Sequence, residues 1–284
     1  MLTVLESINL STDYLKNKGI ESPRINAELL LAKILNCKRL ELYLSFDRPL
    51  VEKEIIQYRE FIKRRSNFEP LQYIVGSVEF YGLEFEVNRS VLIPRQETEI
   101  LVESIIKKYE NQNEIKVLDI GTGSGIIAIC LAKYLPNAEV VAIDSSRDAI
   151  NVAKENAELN QVKEKISFMD SDFNKFASSS ENEFDLIVSN PPYISSSEFL
   201  NLQPELRLYE PRQALTDESN GLSFYELISK KGKTLLKKNG KIFFEIGQNQ
   251  ASAVKKILIN ENYNNIQIQK DYLNIERVIC GELN

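Results

Sequence analysis

The run FDLIVS at 184–189 leads straight into Asn190, Pro191, Pro192 and Tyr193. Two successive prolines fix φ and remove two backbone donors, which leaves carbonyl oxygens free to accept on a rigid backbone. Asn190 adds a side-chain carbonyl and an amide, and Tyr193 adds a ring face. Together they suit a planar NH₂ group. Its two hydrogens can go to the Asn190 side chain and the Pro191 carbonyl, while its conjugated plane lies against Tyr193. Asn190, Pro191 and Tyr193 are therefore the candidate catalytic residues, and Asn190, Pro191, Pro192 and Tyr193 the candidate substrate-binding set.

Such a nitrogen is a weak nucleophile because its lone pair is delocalised. Removing a proton in advance would need a strong base, and the 284 residues contain no His. That absence excludes Ser-His-Asp and Cys-His pairs, His-ligated zinc and a His general base. Attack on a cationic methyl sulfonium needs no prior deprotonation, since the nitrogen becomes acidic once it has bonded to the methyl. Alignment alone can supply of order 7–11 kcal/mol in well-oriented systems.

A second segment points to the donor. VLDIGTGSGIIAI places Gly121, Gly123 and Gly125 between an apolar strand and a helix, where backbone can approach a ligand closely. A dinucleotide fingerprint would need glycine at position 126, which is Ile126, so the loop suits a nucleoside better than NAD. Asp144 closes the next strand, 23 residues beyond Gly121, where its carboxylate could accept from both ribose hydroxyls or cap the following helix. Asp119 either holds the loop or faces the sulfonium. Asp172 and Phe173 follow the third strand, where Phe173 could lie against an adenine or pack into the core. The candidate cofactor-binding residues are thus Asp119, Gly121, Thr122, Gly123, Ser124, Gly125, Asp144, Asp172, Phe173 and Asn190, and no metal is expected.

Positioning these residues requires a sheet. Strand-like runs at 116–120, 139–144, 166–170, 184–190 and 240–247 alternate with helical stretches starting near Ser124, Ser146 and Leu222, which implies βαβ units and a mostly parallel sheet. The last two runs, 266–271 and 276–283, are joined only by LNIE and should pair as an antiparallel hairpin. Upstream, apolar residues recur at helical steps through Ala27, Leu30, Leu31, Ile34 and Leu35, and again through Val51, Ile55, Tyr58 and Ile62. Ser22 and Pro23 are a candidate cap and first-turn pair for the first of these. Around Gly82, aromatic and β-branched residues alternate as in a β-hairpin. The expected organisation is a helical domain over 1–70, a β-hairpin linker over 71–95 and an α/β domain over 96–284.

Thirty-five Lys and Arg stand against 41 Asp and Glu, a formal net charge of −6, which argues against stable nucleic-acid binding. Cys37, Cys130 and Cys280 form no C-x-x-C pair and have apolar neighbours, so they are expected to be reduced, buried thiols in a cytoplasmic protein. No eighteen apolar residues follow one another, so no membrane span is expected. The run Lys230, Lys231, Lys233, Lys237 and Lys238 reads as the solvated end of a helix, or as a contact for an RNA-like surface.

These features together resemble the protein-(glutamine N5) methyltransferases that modify peptide-chain release factors. The resemblance rests on the helical N-terminal part, LIPRQETE at 92–99, LDIGTGSG at 118–125, VSNPPY at 188–193, YEPRQAL at 209–215 and the terminal ERV. It implies a class I S-adenosylmethionine-dependent methyltransferase fold: Rossmann-like, with a mostly parallel seven-stranded sheet and terminal antiparallel hairpin, plus a small N-terminal helical substrate-recognition domain. It further implies methylation of the glutamine in the Gly-Gly-Gln loop of class I release factors, with S-adenosyl-L-methionine converted to S-adenosyl-L-homocysteine. Gln96 stands where the family pattern usually has Pro, and Phe173 where it often has Trp. Arg95, Glu97 and Glu99 are expected either to orient the linker or to form a charged helix start, and 209–215 to form a flap. The tetrapeptide alone also suits a ribosomal-protein glutamine or the exocyclic amine of adenine.

Overall fold

The computed structural model describes residues 2–112, 114–178 and 183–284. They form two compact units. The first runs to Ser77 and also takes in Gln203–Tyr209; the second comprises Val78–Leu202 and Glu210–Asn284.

The first unit is helical. Its helices Val4–Asn17, Pro23–Leu35 and Glu52–Ser66 close over Val4, Ile8, Leu30, Leu31, Leu42, Tyr58 and Ile62. Thr3 caps the first helix in a reciprocal capping box with Glu6. Pro23 opens the second as expected, but the Ser22 side chain caps nothing and the residue is left-handed. Asn26 instead ties down the turn that enters the helix, donating from Nδ2 to the carbonyls of Glu21 and Ser22. The Arg65 guanidinium is buried and held by Asn26 Oδ1, the Glu69 carbonyl and the Glu205 carboxylate. Leu71–Val75, where the alternating pattern points to hairpin, is a short helix ended by left-handed Gly76. Cys37 is only half-buried, unlike Cys130 and Cys280.

The hairpin itself is short. β1 (Ser77–Phe80) and β2 (Leu83–Glu86) turn on Tyr81 and Gly82, both at positive φ.

The second unit is built on a seven-stranded sheet: β3 (Ile115–Ile120), β4 (Ala138–Asp144), β5 (Ile166–Asp170), β6 (Phe184–Ser189), β7 (Leu236–Glu245), β8 (Tyr263–Lys270) and β9 (Glu276–Leu283), in the order β5-β4-β3-β6-β7-β9-β8. β9 runs antiparallel to both neighbours and the other pairings are parallel. Both faces are covered, which explains the continuous apolar runs. Val117, Val140, Ala142, Leu186 and Val188 point to one core, shared with Leu101, Ile105, Ile129 and Leu131. The alternate residues Leu118, Val141, Ile143 and Ile187 point to the other, shared with Tyr225, Ile228, Val254 and Leu258. Strand order reverses at β3, so the carboxyl ends of β3 and β6 flank a crevice. Ser189 Oγ donates to the Ile120 carbonyl at 2.7 Å and ties those two ends together. The helix Ser223–Leu235 ends before Lys237 and Lys238, which belong to β7. Lys233 pairs with Glu261 and Lys237 with Asp185, in keeping with a solvated surface.

Candidate active site

The cavity at the β3–β6 switch is lined by Gly121, Gly123, Asp144, Phe173, Asn190 and Pro191, with Asp172 and Pro192 beside them. Asp119, Thr122, Ser124 and Gly125 form the wall behind it, and Tyr193 sits just outside the lining. Thus the two segments singled out in the sequence meet at one edge: Asp119 pairs in register with Val188 and Ile120 with Ser189.

The loop is held from three sides. Gly121 and Thr122 donate backbone N–H to the Ile143 carbonyl. Asp144 Oδ2 accepts from Gly123 N at 2.9 Å and Oδ1 from Ser146 N at 2.9 Å, so Asp144 caps the next helix and grips the loop at once. Each of its oxygens retains a second lone pair. Burial raises the Asp144 carboxyl above its ordinary range, opposed by those N–H donors. Asp119 is fully buried; its Oδ2 accepts from Thr122 Oγ1 at 2.6 Å and from Ala128 N at 3.3 Å. Burial pushes its carboxyl up to about 7 against those bonds. Its Oδ1 is buried with no hydrogen-bond partner among the described residues.

The three glycines do different work, although all have positive φ. A Cβ on Gly121 or Gly123 would meet nothing within 4 Å, so these two leave an open cradle. A Cβ on Gly125 would come within 2.9 Å of Ile129 Cδ1 and 3.1 Å of Ala153 Cβ, so Gly125 serves the close packing of the helix Ile126–Tyr134 on the helix Arg147–Leu159. The cradle, the spare acceptors of Asp144 and the unpartnered Asp119 oxygen fit a polar, cationic nucleoside. Phe173 is 8% exposed, with most of its ring in the core and an edge on the cavity. Asp172 caps its short helix through Asn174 N.

The tetrapeptide rests on a buried polar group that sequence reasoning missed. Asn190 Nδ2 donates to Thr98 Oγ1 at 3.2 Å, and Thr98 Oγ1 donates to Glu245 Oε2 at 2.6 Å. Tyr193 Oη donates to Glu245 Oε1 at 3.5 Å. Glu245 is 1% exposed, and burial pushes its carboxyl up to about 7. Burial likewise pushes the Tyr193 phenol up, with Glu245 adding to it. The backbone beyond is clamped by Gln250, whose Nε2 donates to the carbonyls of Tyr193 and Gly221 while its Oε1 accepts from Gly247 N. Asn156, also missed, is fully buried and donates to the Ser124 and Glu86 carbonyls while accepting from Glu86 N.

The charged helix start is resolved residue by residue. Glu99 accepts from Tyr81 N in the hairpin turn, and Arg95 pairs with buried Glu210, which also accepts from Ile93 N. Pro211, Gln213 and Ala214, from the expected flap, line the cavity.

Comparison with known proteins agrees with this arrangement. Residues 6–76 match the model of the PrmC N-terminal domain and residues 96–208 that of the methyltransferase small domain. A solved methyltransferase from Pyrococcus furiosus shares the fold, with TM-score 0.53 at 18% identity over 72% of this chain and 90% of that one. The release factor glutamine methyltransferase of Fusobacterium nucleatum is 43% identical over 280 residues, covering 98% of this chain and 78% of that protein. That of Chlorobaculum tepidum is 40% identical over 282 residues, covering 97% and 95%. With near-complete coverage at this identity, and with glycine loop and Asn-Pro-Pro-Tyr strand end on one cavity, the chain belongs to the release factor glutamine methyltransferase family.

Proposed function

We propose that this protein methylates the side-chain amide nitrogen of the glutamine in the Gly-Gly-Gln loop of class I peptide-chain release factors, in the cytoplasm, using S-adenosyl-L-methionine. The observation that carries the reading is the placement of Asn190 and Pro191 on the same cavity as Gly121, Gly123 and Asp144. When bound, S-adenosyl-L-methionine supplies an electrophilic methyl group.

The chain's own residues then have separable tasks. Gly121 and Gly123 let the backbone approach the donor, Asp144 accepts from ribose hydroxyls, and the Phe173 edge borders the adenine. Asp119, Thr122, Ser124 and Gly125 hold the loop that does this. Asn190 Oδ1 and the Pro191 carbonyl accept the two amide hydrogens, and the Pro191–Pro192 backbone keeps both acceptors fixed. Tyr193 shields the amide plane. Holding the nitrogen in line with the methyl supplies most of the help this reaction needs, so no imidazole base is called for. The helical unit offers an apolar groove lined by Leu10, Tyr14, Ile55, Tyr58 and Ile62, which we assign to holding the release factor.

The test supplies labelled S-adenosyl-L-methionine with release factor, the same factor carrying Ala for the loop glutamine, ribosomal proteins and duplex DNA. Label is expected in the intact release factor alone. Equal labelling of the Ala version sinks the reading; label in ribosomal protein or DNA replaces it with the corresponding substrate.

A further inference from the structure

A terminal amide can face a ligand in two ways, as acceptor or as donor, and a planar NH₂ substrate is held only by the first. The hydrogen bonds beneath Asn190 decide between them. An ionised carboxylate has no proton to give, so the single Thr98 hydroxyl proton goes to Glu245 Oε2. Thr98 Oγ1 is left with lone pairs only, and from Asn190 it can only accept. The Asn190 nitrogen is thereby drawn inward, and its carbonyl oxygen faces the other way.

We propose that Thr98 and Glu245 are positioning residues that lock the Asn190 amide with its oxygen toward the cavity, making the site selective for a carboxamide NH₂ over a carbonyl or carboxylate oxygen. This rests on the methyl-transfer reading above. Thr98 starts from the helix Gln96–Tyr109 and Glu245 from the end of β7, so two elements outside the tetrapeptide set its polarity. Both side chains are almost wholly buried, Thr98 at 0% and Glu245 at 1% exposure, which keeps water from substituting for either partner. The charged and titratable groups around Glu245 are Glu97 on the same helix as Thr98, Arg277 on β9, and the Tyr193 hydroxyl. The Tyr225 hydroxyl bonds its backbone carbonyl. Only when Glu245 carries a proton can the chain of donors reverse.

The test uses the full-length enzyme labelled with ¹⁵N-asparagine, the Asn190 side-chain signals being identified by their loss in Asn190→Asp. Slow exchange of the Asn190 amide protons is expected in the parent protein and in Thr98→Ser, and fast exchange in Thr98→Val. With release factor and S-adenosyl-L-methionine, Thr98→Val should lower kcat on the order of 100-fold, the scale of a small misplacement of a reacting group, with KM little changed. Thr98→Ser should restore it to within about threefold. In Glu245→Gln the new Nε2 can donate to Thr98, which frees the hydroxyl to donate outward; kcat should fall as in Thr98→Val. This variant carries the comparison where Thr98→Val does not fold. Retained slow exchange and near-parent kcat in Thr98→Val or Glu245→Gln overturns the lock, as does a Thr98→Ser protein no better than Thr98→Val. If the parent enzyme leaves every release factor unlabelled, the functional reading falls separately, and the amide exchange still decides the lock.

Discussion

Gln250 donates from Nε2 to the main-chain carbonyl of Tyr193 at 2.9 Å, across 57 residues of sequence. The same nitrogen reaches the Gly221 carbonyl, and a Cβ added at Gly221 would lie 2.4 Å from the Tyr193 oxygen. The backbone leaving Asn-Pro-Pro-Tyr is therefore fixed by one side chain and by the absence of another.

Gly221→Ala should displace that backbone, since φ is +82° and the clash is with main chain. Methyl transfer is expected to fall at least tenfold while S-adenosyl-L-methionine affinity, read by calorimetry, stays within about threefold, because the donor cradle is untouched. Equal loss of both would mean that the two halves of the site are not independent.

Asn190→Ala removes an acceptor from the cavity and a donor from Thr98. Transfer should become undetectable with cofactor binding largely intact, measured by labelled methyl incorporation beside equilibrium dialysis. A large loss of binding would make Asn190 a cofactor residue instead of a substrate one.

Gly123→Ala and Gly125→Ala should separate binding from stability. At Gly125 the new methyl meets Ile129 and Ala153, and overpacking plus left-handed strain should cost about 2–4 kcal/mol in a denaturant titration. At Gly123 there is space, so strain of about 1–2 kcal/mol remains, and the measurable effect is weaker cofactor binding. Equal denaturation midpoints for the two variants would refute this division.

Glu245 predicts a pH dependence of stability with a definite sign. Burial raises its carboxyl from 4.5 to about 7, so between those values the folded state binds more protons than the unfolded one. Its contribution is full below the unfolded value and is lost as pH rises through about 7. Fully buried Asp119, also raised to about 7, adds in the same direction. Thermal melts of the parent and Glu245→Gln proteins across pH 5–8 should show a shallower loss with rising pH in the variant. Activity runs the opposite way if the lock needs the ionised form, so stability and turnover should diverge across neutrality.

The central strands were legible because they are buried on both faces and announce themselves as apolar runs, with glycine and Asn-Pro-Pro marking the carboxyl edge where β3 and β6 end, whereas the edge strands β5 and β8 are largely exposed. The loop and tetrapeptide were legible for the same local reason: their backbone demands are written into consecutive residues. The pairing of Thr98, inside LIPRQETE, with Glu245 was not, because the two are 147 residues apart and meaningful only together. Asn156 was hidden similarly, as one polar residue in a polar helix whose three backbone partners lie 32 and 70 residues away. In sequence Asp144 fits either a ribose acceptor or a cap, and its bonds to Gly123 and Ser146 show that capping leaves acceptors over. Tyr81 at the hairpin turn needed Glu99, 18 residues on, as an acceptor for its N–H.

The helical unit is interrupted in sequence, because Glu205, the counter-charge of buried Arg65, is made 140 residues later. At about 5–20 residues per second, a nascent chain would wait on the order of ten seconds between presenting the guanidinium and receiving its carboxylate. By then β3 to β6 have already left the ribosome. The helical unit is therefore completed only after strands it does not contain, β3 to β6, have been synthesised.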